Sequence, residues 1–170
     1  AERCAVSLDF SSRRTPAFTP QTTEFPAGLQ PDESAFSYLY RLAHTGLLAH
    51  SRPVTPQTVS KLAHELSVIE HAGLADYFLI VWDIVREARS LGIRCQGRGS
   101  AANSLVAYVL GITPVDPLRH HLLFERFLSD QHDTMPDIDL DFAADRRDEV
   151  VAYLYARYGA EHSAMVCNVV

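Results

Sequence analysis

Residues 136–142 read PDIDLDF, in which an aspartate alternates with an apolar residue without a break. Because successive side chains of a β-strand point to opposite faces, this pattern predicts a strand with Asp137, Asp139 and Asp141 on one face and apolar residues facing the core. Carboxylates along one strand face repel each other unless a cation or a partner offsets them. The chain must therefore fold so that one face of this strand is covered and the other stays open to a ligand or to solvent.

Divalent cations with oxygen ligands, Mg²⁺ or Mn²⁺, are the natural offset for such a face. Neighbouring carboxylates on one strand face lie roughly 6.5 to 7 Å apart. They can converge on metal ions about 3.5 to 4 Å apart, as in two-metal phosphoryl-transfer sites. An EF-hand is excluded, because its loop needs Gly and Glu where this chain has Phe142 and Asp148. A solvated acidic face is the alternative, and a short D-x-D pattern taken alone favours it.

A glycine-rich segment, GRGS at residues 97–100, lies between a predicted strand at 93–96 and a predicted helix of small residues at about 100–110. A helix N-terminus offers unsatisfied N–H groups, glycine lets a phosphate approach the backbone, and Ser100 adds a hydroxyl donor. The segment matches neither the Walker A loop nor the dinucleotide-binding fingerprint, and a simple tight connection is the alternative interpretation. Together with an acidic strand in the same small domain, it favours nucleotidyl transfer.

The negative charge of the chain is concentrated around the acidic strand. Residues 130–149 contain eight acidic side chains and two arginines, a local net charge of −6 that equals the net charge of the whole chain. An isoelectric point near 5.7 argues against unassisted binding of nucleic acid by a broad basic surface and favours a cation site. No apolar stretch approaches the roughly 20 residues of a membrane-spanning helix. Because Cys4, Cys95 and Cys167 are also widely spaced, we predict a cytoplasmic protein without a membrane partner.

Apolar residues repeat at helical spacing through much of the chain. The first predicted helix starts at Asp32 or Ser34, and the second starts at Thr55-Pro56 and ends at Gly73. Three further helices are predicted at 77–91, 122–128 and 145–158. Strands are predicted at 138–142 and, as an apolar run, at 165–170. Residues 1–30 are rich in proline and are predicted to form an extended linker.

The helical spacing also predicts which residues face the core. On the first two helices these are Phe36, Leu39, Tyr40, Ala43, Leu47, Val59, Leu62, Ala63, Leu66 and Ile69. Tyr77, Phe78 and Trp82 are predicted to be core residues of the third helix. His64-Glu65 begins like a zinc-protease helix, but Val68 occupies the second ligand position and excludes that site.

Four segments in this order resemble the bacterial C-family DNA polymerases, the alpha subunit of DNA polymerase III. They are YFLIVWDIV at 77–85, GRGSAANS at 97–104, LFERF at 123–127 and PDIDLDF at 136–142. The resemblance implies an α+β fold: a helical N-terminal part and a palm of the polymerase-beta nucleotidyltransferase type with a small mixed sheet, incomplete in this chain. Residues 1–30 look like a linker that follows an upstream PHP domain, and the first ten of them look like the tail of that domain. Residues 31–170 look like the first segment of the palm.

The resemblance also implies a role for individual residues. Asp137 and Asp139 look like two of the three catalytic carboxylates that bind Mg²⁺, or alternatively Mn²⁺. Gly99 and Ser100 look like triphosphate-binding residues, with Arg98 and Arg126 as phosphate contacts. Asp141 shares the strand face, but the catalytic pair corresponds to the first two acids. The third aspartate of the family lies beyond Val170, so this chain is expected to be a fragment that does not polymerise DNA alone.

The implied function is template-directed DNA polymerisation by two-metal catalysis. Cys95-Gln96 and Asn103 look more like the error-prone subgroup, which implies DNA repair and damage tolerance; a replicative alpha subunit is the alternative. The implied partners are primer-template DNA, deoxynucleoside triphosphates, a sliding clamp and accessory mutagenesis proteins. A non-catalytic scaffold is a rival that the intact Asp137, Asp139, Gly99 and Ser100 argue against. A metal-dependent phosphoesterase is a second rival, but this sequence shows no histidine cluster that could activate a water molecule.

Overall fold

Helices form most of the structure, a computed structural model that describes residues 33–50, 53–128 and 136–164. The α-helices are α1 (Ala35–His50), α2 (Pro56–His71), α3 (Ala75–Ser90), α4 (Leu105–Val109) and α5 (Arg147–Tyr158). The strands are β1 (Cys95–Arg98) and β2 (Asp139–Phe142). Short 3₁₀ turns lie at Gly99–Asn103, Phe124–Arg126, Ala144–Arg146 and Ala160–His162. We call Gly99–Asn103 the glycine turn. The predicted α+β class is confirmed for the described residues.

The helix boundaries follow from the capping residues that the sequence contains. Thr55 Oγ1 accepts the backbone N–H of Thr58 at 3.2 Å, and Pro56 occupies the first turn of α2. Ser34 Oγ accepts the N–H of Ser37 at 3.1 Å in the same way. Gly73 follows α2 with φ of +65°, a conformation that suits glycine. The predicted starts of α1 and α2 are therefore confirmed, and α3 covers 75–90 where 77–91 was predicted.

The first four helices share one hydrophobic core. Its largest fully buried side chains include Tyr38, Phe78, Phe124, Leu39, Leu62, Leu66 and Ile69. The prediction was wrong for Tyr40 and Val59, which are 46% and 41% exposed, and for Ala63, which is also exposed. On α1 the inner position belongs to Tyr38, whose ring stands edge-on to Trp82 with centroids 6.1 Å apart.

Two predicted elements differ from the observed ones for identifiable reasons. The N–H of Ile93 donates to Ala88 O at 2.8 Å and closes the end of α3, so β1 starts at Cys95 rather than at 93. The helix predicted over 100–110 is interrupted at Ser104, whose extended backbone separates the glycine turn from α4. Ser104 Oγ caps α4 by accepting the N–H of Ala107 at 3.1 Å. The helix predicted over 122–128 is the 3₁₀ turn Phe124–Arg126.

The sheet consists of β1 and β2 paired antiparallel, with Arg98 opposite Asp139 and Cys95 opposite Phe142. The mixed sheet stays a prediction, because the apolar run at 165–170 lies outside the described residues. Other predictions also fall outside the described residues. They concern the linker at 1–30, a helix start at Asp32, and Asp130 and Asp133 of the acidic region. Within the three described ranges, no helix has the length and apolar character that crossing a membrane requires.

Asp83 on α3 fastens α5 to the helical layer. Its carboxylate is almost fully buried and accepts the hydroxyls of Tyr153 at 2.6 Å and Tyr158 at 2.7 Å. Arg86 donates to the other carboxylate oxygen at 2.9 Å. Burial, and then the hydrogen bond to Asp83, raise the pKa of Tyr153 to about 12 and raise that of Tyr158 as well. Both phenols therefore remain donors at any ordinary pH, and α5 is tied to α3 immediately after β2.

We predict that Tyr158→Phe and Tyr153→Phe each lower the free energy of unfolding by about 1.5 to 3 kcal/mol, since each removes a hydrogen bond to a buried carboxylate. Tyr155→Phe on the same helix is the matched control, because Tyr155 is 40% exposed. Its effect is expected to stay within about 0.5 kcal/mol. Urea unfolding of the three variants measures the difference. Equal stability of Tyr155→Phe and Tyr158→Phe would contradict the role of Asp83.

Candidate active site

The pairing of β1 with β2 creates a polar face and an apolar face. Arg98 and Gln96 lie opposite Asp139 and Asp141, and cross-strand partners in an antiparallel pair share a face. On the other face, Leu140 packs against the main core. Asp137, which precedes β2, and Asp141 are exposed, and Asp139 is half-buried. Within β2 the faces predicted from the alternation are confirmed. The carboxylates are therefore open to a ligand on one side of a supported strand.

The glycine turn lies directly against the acidic face. Gly99 has φ of +68°, and a β-carbon built on it would lie 3.1 Å from Asp139 Oδ2. Ser100 Oγ donates to the backbone oxygen of Asp137 at 3.2 Å, and Asn103 Nδ2 donates to Ser100 O at 2.9 Å. An added β-carbon would make a tighter contact with the carboxylate than is usual, so the close approach and the positive φ both favour glycine here. The structure thus brings together Gly99, Ser100, Asp137 and Asp139.

Tyr77 supports the acidic strand, although its helical spacing predicted only a core residue. Its hydroxyl oxygen accepts the N–H of Ile138 at 3.2 Å, between the two aspartates. Burial raises the pKa of Tyr77, the Ile138 N–H opposes this, and the charges of Asp137 and Asp139 raise it further. In the sequence, the only sign that Tyr77 has a role was its place in the segment 77–85. The helical spacing of that segment could not show that the Tyr77 hydroxyl reaches Ile138, 61 residues later.

The two arginines predicted to contact phosphate occupy different surroundings. Arg98 Nε donates to Asp141 Oδ1 at 3.0 Å, and both side chains are more than half exposed. Such a surface pair contributes about 0 to 1 kcal/mol, so Arg98 can exchange Asp141 for another anion at little cost. Arg126 is exposed at the end of a 3₁₀ turn packed beside the glycine turn. The neighbouring Glu125 lies 3.7 Å from His64 Nε2.

The donor set suits a divalent cation but is incomplete. Asp137 and Asp139 offer carboxylate oxygens, which Mg²⁺ and Mn²⁺ prefer. Among residues 33–50, 53–128 and 136–164, no three His, Cys, Asp or Glu side chains are grouped so as to hold a metal ion. Asp141 is turned toward Arg98. The described residues therefore offer two carboxylates, Asp137 and Asp139, on the open side of the strand.

Glu65 on α2 is a second residue that the sequence did not single out for a role in the site. It is fully buried, and its carboxylate accepts the hydroxyl of Ser104 and the backbone N–H groups of Leu105 and Val106, each at 3.0 Å. Burial raises its pKa to about 7, while these three donors and Lys61 oppose the increase. Glu65 thus anchors the segment that directly follows the glycine turn.

The sequence from α1 onward matches a known family. Residues 37–170 fit the family described as the bacterial DNA polymerase III alpha NTPase domain. The chain belongs to this family. The resemblance carried by the four segments is therefore confirmed, and the site described above lies in a DNA polymerase III alpha segment.

Curated relatives of this polymerase III alpha segment carry two kinds of name. An error-prone DNA polymerase of Symbiobacterium thermophilum is 48% identical over 168 residues, covering 99% of this chain and 15% of that protein. One of Anaeromyxobacter dehalogenans is 59% identical over 116 residues, 68% of this chain and 10% of that protein. The DNA polymerase III subunit alpha of Bacillus subtilis is 46% identical over 168 residues, 98% of this chain and 14% of that protein. The chain spans at most 15% of the length of these three relatives.

We predict that the stabilising effect of Glu65 in this polymerase III alpha segment decreases as the pH rises. Its pKa moves from 4.5 to about 7, so between these values the folded state holds a proton that the unfolded state has released. The free energy of unfolding of the wild type, relative to Glu65→Gln, should fall by about 3 kcal/mol from pH 4.5 to pH 7 and then level off.

Urea unfolding of both proteins at pH 4.5, 6 and 8 checks this dependence. Glu70→Gln is the matched control, because it removes an exposed carboxylate from the same helix. A difference between wild type and Glu65→Gln that does not change with pH would contradict the shifted pKa.

Proposed function

We propose that this chain supplies the nucleotide-binding turn and two metal-binding carboxylates of a DNA-directed DNA polymerase. The observation that carries the proposal is the position of Gly99, where an added β-carbon would lie 3.1 Å from Asp139 Oδ2. A phosphate-sized anion at this turn would lie beside the carboxylates, and nucleotidyl transfer needs these two groups together. A solvated acidic face has no need of such a close approach.

In this proposal each residue has a separate task. The backbone N–H groups of Gly99 and Ser100 bind the triphosphate, and the Ser100 hydroxyl keeps the turn on the strand by donating to Asp137 O. Arg98 and Arg126 bring positive charge to the phosphates. Asp137 and Asp139 hold Mg²⁺ or Mn²⁺, with a third carboxylate from elsewhere in the polymerase. A cation held there would neutralise the triphosphate and favour ionisation of the primer 3′-hydroxyl.

The organisation of the whole protein is also part of the proposal. Residues 31–170 form the first segment of a palm of the polymerase-beta type, preceded by a linker at 1–30 and a PHP domain. The substrates are primer-template DNA and deoxynucleoside triphosphates. A sliding clamp and accessory mutagenesis proteins are the expected protein partners, in the bacterial cytoplasm.

We propose the error-prone subgroup, with a role in repair and damage tolerance. The names of the Symbiobacterium and Anaeromyxobacter relatives and the residues Cys95, Gln96 and Asn103 support this assignment. Asn103 holds the carbonyl of Ser100, so it acts on the turn itself. The alternative is a replicative alpha subunit, which the 46% identity to the Bacillus subtilis protein favours.

We predict that Asp139→Asn in the intact polymerase lowers primer extension by a factor of about 10³ or more, because it removes a charged ligand of the cation. Asp145→Asn, an exposed carboxylate six residues further along, is the matched control and should retain activity within about twofold. Single-nucleotide incorporation on a primed template measures both. Near-normal incorporation by Asp139→Asn, with an active wild type, would contradict the assignment.

We further predict that Gly99→Ala lowers the efficiency of nucleotide incorporation roughly tenfold or more, since small displacements of catalytic groups are costly. The new methyl group would press on Asp139. Gly92→Ala is a close control: Gly92 has φ of +71° and nothing within 4 Å of the added carbon. Both changes carry a similar backbone strain of about 1 to 2 kcal/mol, but only the first touches the site. Equal activity of the two variants would exclude close contact between the turn and Asp139.

A further inference from the structure

The carboxylate of Glu65 lies at the junction between the glycine turn and α4. Its Oε1 accepts the N–H of Leu105, and its Oε2 accepts both the N–H of Val106 and the hydroxyl of Ser104, each at 3.0 Å. All three partners are donors, which is the arrangement that an ionised carboxylate satisfies and a neutral amide does not. In its carboxylate form, Glu65 therefore satisfies all three donors at this junction.

Capping of α4 alone does not explain a buried carboxylate at this point. Ser104 already supplies a cap, because its hydroxyl oxygen accepts the N–H of Ala107 at 3.1 Å. Burying a carboxylate is costly, and the charged Lys61 on the same helix donates to Leu122 O instead. The extra bonds from Glu65 instead fix where the start of α4 lies on α2.

Three hydrogen bonds, joined by the backbone link between Ala101 and Ser100, lead from Glu65 to Asp137 beside the acidic strand. Ser104, held by Glu65, donates its N–H to Ala101 O at 3.1 Å within the glycine turn. Ser100, the residue before Ala101 in that turn, donates its hydroxyl to Asp137 O at 3.2 Å. Ala101 and Ser104 are fully buried, so this path has little freedom to rearrange. A displacement of Ser104 would therefore reach Gly99 and Ser100.

We propose that Glu65 is a positioning residue for the incoming nucleotide: it holds the glycine turn, through Ser104, at the distance from Asp137 and Asp139 that triphosphate binding requires. This inference rests on the proposed function, because it assigns the turn to the triphosphate. Glu65 itself touches neither nucleotide nor DNA. Its loss should therefore act on the binding of the nucleotide more than on the chemical step or on DNA binding.

The test is steady-state incorporation by the intact polymerase carrying Glu65→Gln. The amide of glutamine would place an N–H₂ group against donors, which disturbs the junction while keeping the side-chain shape. We expect KM for the nucleotide to rise about tenfold, with kcat and KM for primer-template each within about twofold of wild type. Ser104→Ala, which removes one donor to Glu65 together with the cap of α4, should raise KM for the nucleotide about threefold. It provides the second test if Glu65→Gln does not fold.

Two controls separate positioning from simple destabilisation. Ile69→Ala removes a buried apolar side chain one turn further along α2, and Glu70→Gln removes an exposed charge from the same helix. Neither should change KM for the nucleotide more than about twofold. Unchanged KM in Glu65→Gln and Ser104→Ala, or an equal rise in Ile69→Ala, would overturn the proposal. An inactive wild-type polymerase would instead refute the proposed function.

Discussion

The antiparallel pairing of β1 with β2 is the interaction on which the candidate site depends. It sets Arg98 opposite Asp139, so the chain leaving β1 enters the glycine turn beside the carboxylates. A shift of register by one residue would turn the aspartates toward the core and the apolar residues toward solvent. Such a shift is strongly opposed, because Ile138 and Leu140 pack against the main core. The burial of one face thus fixes the chemistry of the other.

Polar side chains of the helices then hold the small sheet and the elements beside it in place. Glu65 holds the start of α4, Tyr77 holds the backbone of Ile138, and Asp83 holds α5. Gly46 allows α1 to pack closely against the carbonyl of Val109 at the other end of α4. Each anchor satisfies polar groups that would otherwise be costly in the interior. These contacts from the helical layer therefore hold the sheet in place from its apolar side and leave the acidic face open.

The sequence predicted those features that local patterns encode. Alternation placed Asp137, Asp139 and Asp141 on one face, and Thr55-Pro56 marked the start of α2. The prediction of core residues failed for Tyr40 and Val59. Helical spacing shows which face of a helix is apolar, but it does not show how wide the buried part of that face is. It also missed Glu65, Tyr77 and Asp83 as anchors. Their partners lie 39 to 75 residues away along the chain, and side-chain periodicity cannot specify which faces of distant elements meet.

The central claim is that the glycine turn and Asp137–Asp139 form one site for a nucleotide and its cation. The most direct measurement is a crystal structure of the intact polymerase with primer-template, a non-hydrolysable deoxynucleoside triphosphate and Mg²⁺. The account predicts triphosphate oxygens within hydrogen-bond distance of the Gly99 and Ser100 backbone, and a cation bound by both Asp137 and Asp139. A triphosphate bound elsewhere, or a cation that leaves these two carboxylates free, would contradict it.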